Sequence, residues 1–114
     1  MFSKNGETKL ILLCSVIFML LVSFATATED GKKIYEKKCT TCHGKEGKGN
    51  AALLKTLKVN ASLLDLLDKG TLEKSDEELI SIISKGINKM PAYGKNLKDE
   101  EIKDVISYIR SLVK

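Results

Sequence analysis

The sequence predicts an all-α protein with about four helices, and three observations carry this prediction. In the last segment the apolar residues recur at the spacing of one helical face: Ile102, Val105, Ile106, Ile109, Leu112 and Val113. Ser75 and Glu78 form the pattern of a capping box ahead of a second apolar run, which Gly86 is expected to end. No stretch alternates apolar and polar residues with period two over a useful length, so no strand is predicted.

The first 27 residues have the organisation of a secretory signal peptide. Lys4 and Lys9 precede an apolar run at 10–24, and Ala25-Thr26-Ala27 is a small-residue cleavage pattern. A retained membrane anchor is the alternative, but the run is shorter than the ~20 residues that a spanning helix needs. We therefore expect cleavage after Ala27, a single mature domain at residues 28–114, export to the periplasm and no stable membrane anchor.

The first half of this domain is predicted to hold one clear helix followed by less regular structure. Thr28 is a candidate N-cap for a helix that runs into Cys39. Glycine inside a helix costs roughly 1 kcal/mol relative to alanine, so we expect a second helix to approach closely at Gly31. A loop is predicted at 44–49, an irregular segment or short helix at 51–59, Asn60 as a cap, and a short helix at 62–69 ended by Gly70.

Cys39, Cys42 and His43 form a Cys-x-x-Cys-His run, the attachment motif of a c-type haem. One helical turn separates the two thiols suitably for two vinyl groups of one porphyrin, and the next residue, His43, projects its imidazole at the iron. A closed zinc site needs four ligands, and carboxylates would have to complete one here because no further Cys or His follows. A thioredoxin-like dithiol would follow a strand, and none is predicted. Zinc binding and dithiol chemistry stay open as alternatives.

Met90 is the candidate second ligand of the iron. Pro91 disfavours a helical backbone at Met90 and Gly94 marks a turn, so Met90 is expected on an ordered loop between the last two helices. A lone methionine often serves as core filler, but a six-coordinate iron needs a second soft ligand. Met90 is also the only methionine in residues 28–114.

Together these segments resemble the class I cytochromes c, most of all the small soluble monohaem members from bacteria and algae. The resemblance covers nearly all of residues 29–114 and rests on four features in order: residues 31–35, the Cys-x-x-Cys-His run, residues 90–93 and residues 104–109. It implies the class I cytochrome c fold, with the helices wrapped around one covalently attached haem c. It also implies thioether links at Cys39 and Cys42, and axial ligation by His43 and Met90.

The same resemblance implies that the helix carrying Gly31 and Tyr35 crosses the last helix near Tyr108 and Ile109. Members of the family commonly orient the proximal histidine with a proline carbonyl, but Pro91 is the only proline here. Another carbonyl, between Gly49 and Asn60, is therefore expected to accept the hydrogen bond of His43.

The implied function is one-electron transfer by a periplasmic carrier, in a setting such as a respiratory chain, rather than enzyme catalysis. His/Met coordination raises the reduction potential relative to bis-His and closes both axial positions. The expected partners are membrane or soluble redox proteins as electron donor and acceptor, and the chain is expected to be a monomer. The alternative is a haem-based sensor of a small ligand, or a minor redox enzyme, in which the Met90 bond is weak or absent.

Charge, helix capping and core size add four further expectations. The net charge of +4 comes from interspersed acidic and basic residues, which argues against nucleic-acid binding. Five lysines flank the haem segments and either form a basic rim for acidic partners or only solvate the surface: Lys38, Lys45, Lys48, Lys89 and Lys95. Lys98 stands where a Ser or Thr cap is expected, so the start of the last helix should fray. The small apolar core predicts that the chain without haem is largely unfolded.

Overall fold

The computed structural model describes residues 4–114, with side-chain surroundings for 5–21 and 26–114. Within that range the chain is helical and forms no strand, which confirms the predicted fold class. The helices are α1 (Lys4–Lys38), α2 (Thr40–His43), α3 (Ala51–Leu57), α4 (Lys69–Leu72), α5 (Asp76–Lys85) and α6 (Asp99–Ser111), with a 3₁₀ turn at Ala61–Leu63. The helices expected at the start of the domain, after Ser75 and in the last segment are present as α1, α5 and α6, and α3 lies in the segment at 51–59 that was expected to be irregular or a short helix.

The helix α1 runs unbroken through the apolar segment and into the domain. Its large apolar side chains between positions 10 and 21 are 50–71% exposed, and one 18-residue window has a mean hydropathy of 2.6. By length and composition this helix can cross a membrane, and a signal sequence has the same properties. Thr28 lies inside α1 rather than at an N-cap, because the residues before it continue the helix in the uncleaved chain. The first three residues of the predicted signal peptide lie outside the described range, and cleavage after Ala27 stays a prediction.

The helices α1 and α6 cross in direct backbone contact. A Cβ on Gly31 would overlap the carbonyl oxygen of Asp104 and lie 3.0 Å from the amide nitrogen of Val105. Next to this contact Tyr35 is fully buried, with its ring centroid 5.2 Å from that of Tyr108. The predicted close approach at Gly31 is confirmed.

The second part of the core lies between α5 and α6. Leu79 and Ile83 of α5 pack against Ile102 and Ile106 of α6. The hydroxyl of Ser75 accepts from the amide of Glu78, whose carboxylate accepts from the Ser75 amide, so the predicted capping box is confirmed. Gly86 ends α5 with φ +72°, as its position predicted.

Two expectations about helix ends differ from the structure. Lys98 provides no side-chain cap, but its own amide donates to the Glu101 carboxylate at 2.8 Å, so the first turn of α6 is held and the expected reason for fraying is removed. The helix predicted at 62–69 is wrong, since a 3₁₀ turn, a loop and α4 occupy this region. There the Asp65 carboxylate accepts from the Leu67 amide and holds a turn, while Asp68 is the N-cap of α4, so a helix begins after Asp68 instead of running through it. Gly70 accordingly lies within α4 instead of ending a helix.

Candidate functional site

The Cys-x-x-Cys-His run forms one helical turn directly after α1. The amide of Cys39 donates to the Tyr35 carbonyl at 2.9 Å, and the amide of His43 donates to the Cys39 carbonyl at 2.9 Å. The two cysteines are half-buried and His43 is 8% exposed. The motif therefore has the compact helical geometry that its spacing predicted.

His43 is oriented by a backbone carbonyl, but not by one in the expected segment. Its Nδ1 lies 2.9 Å from the carbonyl oxygen of Leu64, four residues beyond the predicted range of 49–60. Residues 51–57 form α3, so their carbonyls point along the helix axis. Leu64 follows the 3₁₀ turn and packs where Gly49 leaves room, since a Cβ on Gly49 would lie 3.1 Å from the Cβ of Leu64.

The hydrogen bond to Leu64 also sets the chemical form of the imidazole. A carbonyl only accepts, so Nδ1 of His43 carries the proton and the lone pair of Nε2 is left for a metal. Burial lowers the pKa of His43, and the bond to Leu64 opposes that change in part. Neutral imidazole is the form that binds a metal.

A short loop returns the chain to the motif and satisfies the free carbonyls at the end of α2. The amide of Gly49 donates to the His43 carbonyl at 2.7 Å, and that of Asn50 donates to the Cys42 carbonyl at 3.0 Å. The side-chain amide of Asn50 donates to the Thr41 carbonyl at 2.9 Å, while its oxygen caps α3. On the other side, the Tyr35 hydroxyl donates to the Gly44 carbonyl at 2.7 Å. The sequence analysis missed Asn50, although an Asn directly before a short helical segment is a recognisable cap signal.

Met90 lies on a tight turn after α5, as Pro91 predicted. Its amide donates to the Ile87 carbonyl at 2.8 Å, and the Ile87 amide donates back to the Met90 carbonyl at 3.2 Å. Gly86 lies beneath this turn, because a Cβ there would lie 2.6 Å from the Met90 carbonyl oxygen. The position of Met90 is therefore defined by backbone contacts rather than by a helix face.

The structure brings the four predicted site residues to one place. Two adjoining cavities of about 130 and 280 Å³ share six lining residues: Cys39, His43, Leu63, Ile87, Met90 and Tyr93. Cys42 lines the smaller one. Two thiols, an imidazole with a free Nε2 and a thioether thus face an apolar space, a donor set that fits a covalently attached haem.

This geometry does not favour the two alternatives, zinc binding and dithiol chemistry. Among residues 4–114 no group of three or more Cys, His, Asp or Glu side chains is placed to hold a metal ion, so zinc would find no additional ligands there. Burial, and then the neighbouring Cys42, raise the pKa of the Cys39 thiol to about 11. Reactive dithiols have a lowered thiol pKa instead.

Two of the five lysines proposed for a basic rim border the site. Lys38 and Lys89 line the smaller cavity. The other three, Lys45, Lys48 and Lys95, are exposed but do not line either cavity, and Lys48 lies 3.8 Å from the carboxylate of Glu46. The structure therefore supports a smaller basic border than the sequence predicted.

Comparison with known proteins finds relatives that cover most of the chain. The model of the family described as cytochrome c oxidase, cbb3-type, subunit III matches residues 26–109. The chain is 34% identical to cytochrome c6 of Porphyra purpurea over 98 residues, which cover 84% of this chain and 81% of that protein. It is 35% identical to cytochrome c6 of Nostoc sp. strain PCC 7120, over 88% of this chain and 86% of that protein. Cytochrome c6 of Thermosynechococcus vestitus is 32% identical, with 90% of each chain covered.

These relationships support electron transfer and not the sensor alternative. They also indicate a covalently bound haem c as the cofactor. The chain therefore belongs to the cytochrome c family, as a small monohaem class I member that acts in electron transfer.

Proposed function

We propose that this cytochrome is an exported one-electron carrier whose haem c is bound through Cys39 and Cys42 and whose iron is held between His43 and Met90. The observation that carries the proposal is the convergence of these four side chains on one apolar space. Each of them comes from a segment whose backbone is held by hydrogen bonds in the folded chain. The bound haem supplies reversible exchange of one electron between ferric and ferrous iron.

The chain's own residues favour a closed and stable coordination. The Leu64 carbonyl fixes the ring of His43 and its tautomer, as partners of metal-binding histidines generally do. The thioether of Met90 would favour ferrous iron and raise the reduction potential. With His43 and Met90 both holding the iron, little rearrangement would accompany a change of oxidation state, and no coordination site would be left for oxygen or peroxide. This is why we assign a carrier rather than an enzyme.

The setting of the carrier is part of the same proposal. Cleavage after Ala27 would release residues 28–114 into the periplasm as a monomer without a stable membrane anchor. Its electron donor and acceptor would be membrane or soluble redox proteins, as in a respiratory chain. Lys38 and Lys89 border the cavity, which supports docking onto acidic surfaces of these partners.

The ligation is tested by the optical spectrum of the oxidised holoprotein. We expect the weak long-wavelength charge-transfer band between sulfur and iron, its loss in Met90→Ala, and its retention in Lys95→Ala on the same loop. Carbon monoxide should bind the reduced Met90→Ala protein readily and the native protein poorly. A native protein that lacks the band, is high-spin and binds carbon monoxide readily would have an open site and would favour the sensor alternative.

Docking is tested by electron exchange with a redox partner at increasing ionic strength. We expect the bimolecular rate of the native protein to fall as salt is added. At low salt we expect Lys38→Gln to react more slowly than Lys32→Gln. The Lys32 variant loses the same charge from an exposed position of α1 that does not line the cavity. A rate that is independent of salt would contradict electrostatic steering and leave the ligation unaffected.

A further inference from the structure

We infer that Lys89 and Tyr93 are positioning residues, which hold Met90 over the cavity. Each makes a side-chain hydrogen bond to another segment that lines the cavity, at Leu57 and at Lys38. This role depends on the proposed ligation of iron by Met90. The two residues lie on either side of Met90 in the chain, one position before it and three positions after it. Both line the smaller cavity together with Met90.

The first hydrogen bond joins the Met90 loop to α3. The ammonium group of Lys89 donates to the carbonyl of Leu57 at 3.1 Å. Leu57 is the last residue of α3, where helix carbonyls have no partner within the helix and carry the negative end of its dipole. A cation is therefore well suited to this position, and Leu57 also lines the smaller cavity.

The second hydrogen bond joins the same loop to the haem-attachment segment. The hydroxyl of Tyr93 donates to the carbonyl of Lys38 at 3.2 Å, and Lys38 directly precedes Cys39. On the opposite side, the amide of Tyr93 donates to the Ile83 carbonyl of α5 at 2.9 Å. Burial raises the pKa of Tyr93, so the phenol keeps the proton that it donates.

These two contacts tie Met90 to parts of the chain that its backbone does not reach. Among residues 4–114, the backbone bonds of Met90 itself connect it only to Ile87, within the same turn. A movement of Met90 away from the cavity therefore has to stretch or break the bonds from Lys89 and Tyr93. A single hydrogen bond of this kind changes an opening equilibrium by about 3- to 10-fold.

The experiment measures how readily an added ligand displaces Met90. Imidazole binds the ferric holoprotein only when the sixth position opens, so its affinity and binding rate report that opening. We expect Tyr93→Phe and Lys89→Leu each to increase imidazole affinity about 3- to 10-fold. The double variant should show a larger increase than either, and Lys89→Arg should restore most of the native behaviour. The charge-transfer band should remain in each of these variants without imidazole.

Two matched controls separate this role from general effects. Lys95→Leu removes the same charge from the same loop. The ammonium group of Lys95 makes no hydrogen bond or ion pair within residues 4–114. Tyr108→Phe removes a phenol hydroxyl that donates no hydrogen bond within residues 4–114. We expect both to bind imidazole as the native protein does. Urea unfolding identifies any variant with a damaged fold, and if Lys89→Leu is damaged, Tyr93→Phe alone decides.

The failure of this role is distinguishable from the failure of the ligation. If imidazole affinity changes less than twofold in Tyr93→Phe and Lys89→Leu, or changes equally in the two controls, the positioning role is wrong while Met90 remains the ligand. If Met90→Ala does not increase imidazole affinity, Met90 is not the ligand and both proposals are wrong.

Discussion

Gly31 and Asp104 meet backbone to backbone where α1 crosses α6, so closely that no side chain fits at position 31. The fully buried Tyr35 lies one turn further along α1 and packs with Val105 and Ile109 of α6. The same tyrosine donates to the Gly44 carbonyl after the haem motif. The helix crossing and the haem-attachment turn are therefore parts of one packed unit.

A side chain at the crossing should destabilise the protein. We expect Gly31→Ala to lower the free energy of unfolding of the holoprotein by about 1–3 kcal/mol through overpacking, although alanine is the better helix former. Urea unfolding followed by far-UV circular dichroism measures this change. In the control Gly70→Ala, the new Cβ would meet only carboxylate oxygens of Asp68 at 3.7 and 3.9 Å, so the change should stay within about 0.5 kcal/mol. Equal stability of Gly31→Ala and the native protein would contradict the close crossing.

The double role of Asn50 gives a graded prediction. Asn50→Ala removes both the cap of α3 and the bond to the Thr41 carbonyl, and should cost about 1–2 kcal/mol of stability. Asn50→Asp keeps the accepting oxygen but loses the donor, so its stability should lie between those of the other two proteins. Asn60→Ala, which removes a cap that makes no contact with the motif, is the control and should cost less. If Asn50→Ala and Asn60→Ala are equally stable, the contact with the haem motif adds nothing.

The carboxylate of Asp104 should make stability depend on pH. Burial raises its pKa, with further contributions from Asp30, Glu100 and Glu101. The folded state therefore disfavours the charged form at neutral pH, and this penalty disappears as the pH falls through the raised pKa towards the unfolded value of about 3.9. We expect Asp104→Asn to stabilise the protein by about 0.2–0.5 kcal/mol at pH 7, on the scale of like-charge pairs in a helix.

Urea midpoints at pH 7 and at lower pH measure this gain, which should shrink on acidification. Glu77→Gln is the control, because it removes the same charge from the first turn of α5, where a negative charge is favourable, and should give no gain. A gain for Asp104→Asn that does not change with pH would point to a cause other than the charge.

Removal of the haem should unfold the domain. Among the described residues only nine apolar side chains are buried, and eight of them form two clusters beside the cavities that the haem would fill. We therefore expect the Cys39→Ala, Cys42→Ala protein without haem to lose most of its far-UV helical signal, whereas the holoprotein keeps it. A native-like spectrum of the haem-free variant would show that the chain alone supports the fold.

The local chemistry of single residues made much of the site predictable. Pro91 acts on the residue before it, so the extended turn at Met90 followed from the sequence alone. The spacing of Cys39, Cys42 and His43 likewise determines a helical turn wherever the chain places it. Gly31 was informative for a related reason, since a glycine in a helix needs a close neighbour to explain it.

The features that were missed depend on the path of the chain. Every residue has a carbonyl, so nothing in the local sequence distinguishes Leu64 as the partner of His43. The helix predicted at 62–69 failed because Asp65 uses its side chain to hold a turn and Asp68 caps a new helix, which the apolar spacing does not reveal. The contacts of Lys89 with Leu57 and of Tyr93 with Lys38 join distant segments and are equally invisible in one sequence.

The crossing of α1 with α6 has a consequence for the order of folding. Gly31 lies near the start of the predicted domain and Asp104 near its end, so the largest helix contact forms only after almost the whole chain is available. Contacts between such distant segments are slow to form because loop closure must come first. A chain of this design stays open while it emerges, so Cys39 and Cys42 remain fully accessible until the last helix arrives and packs beside Cys39.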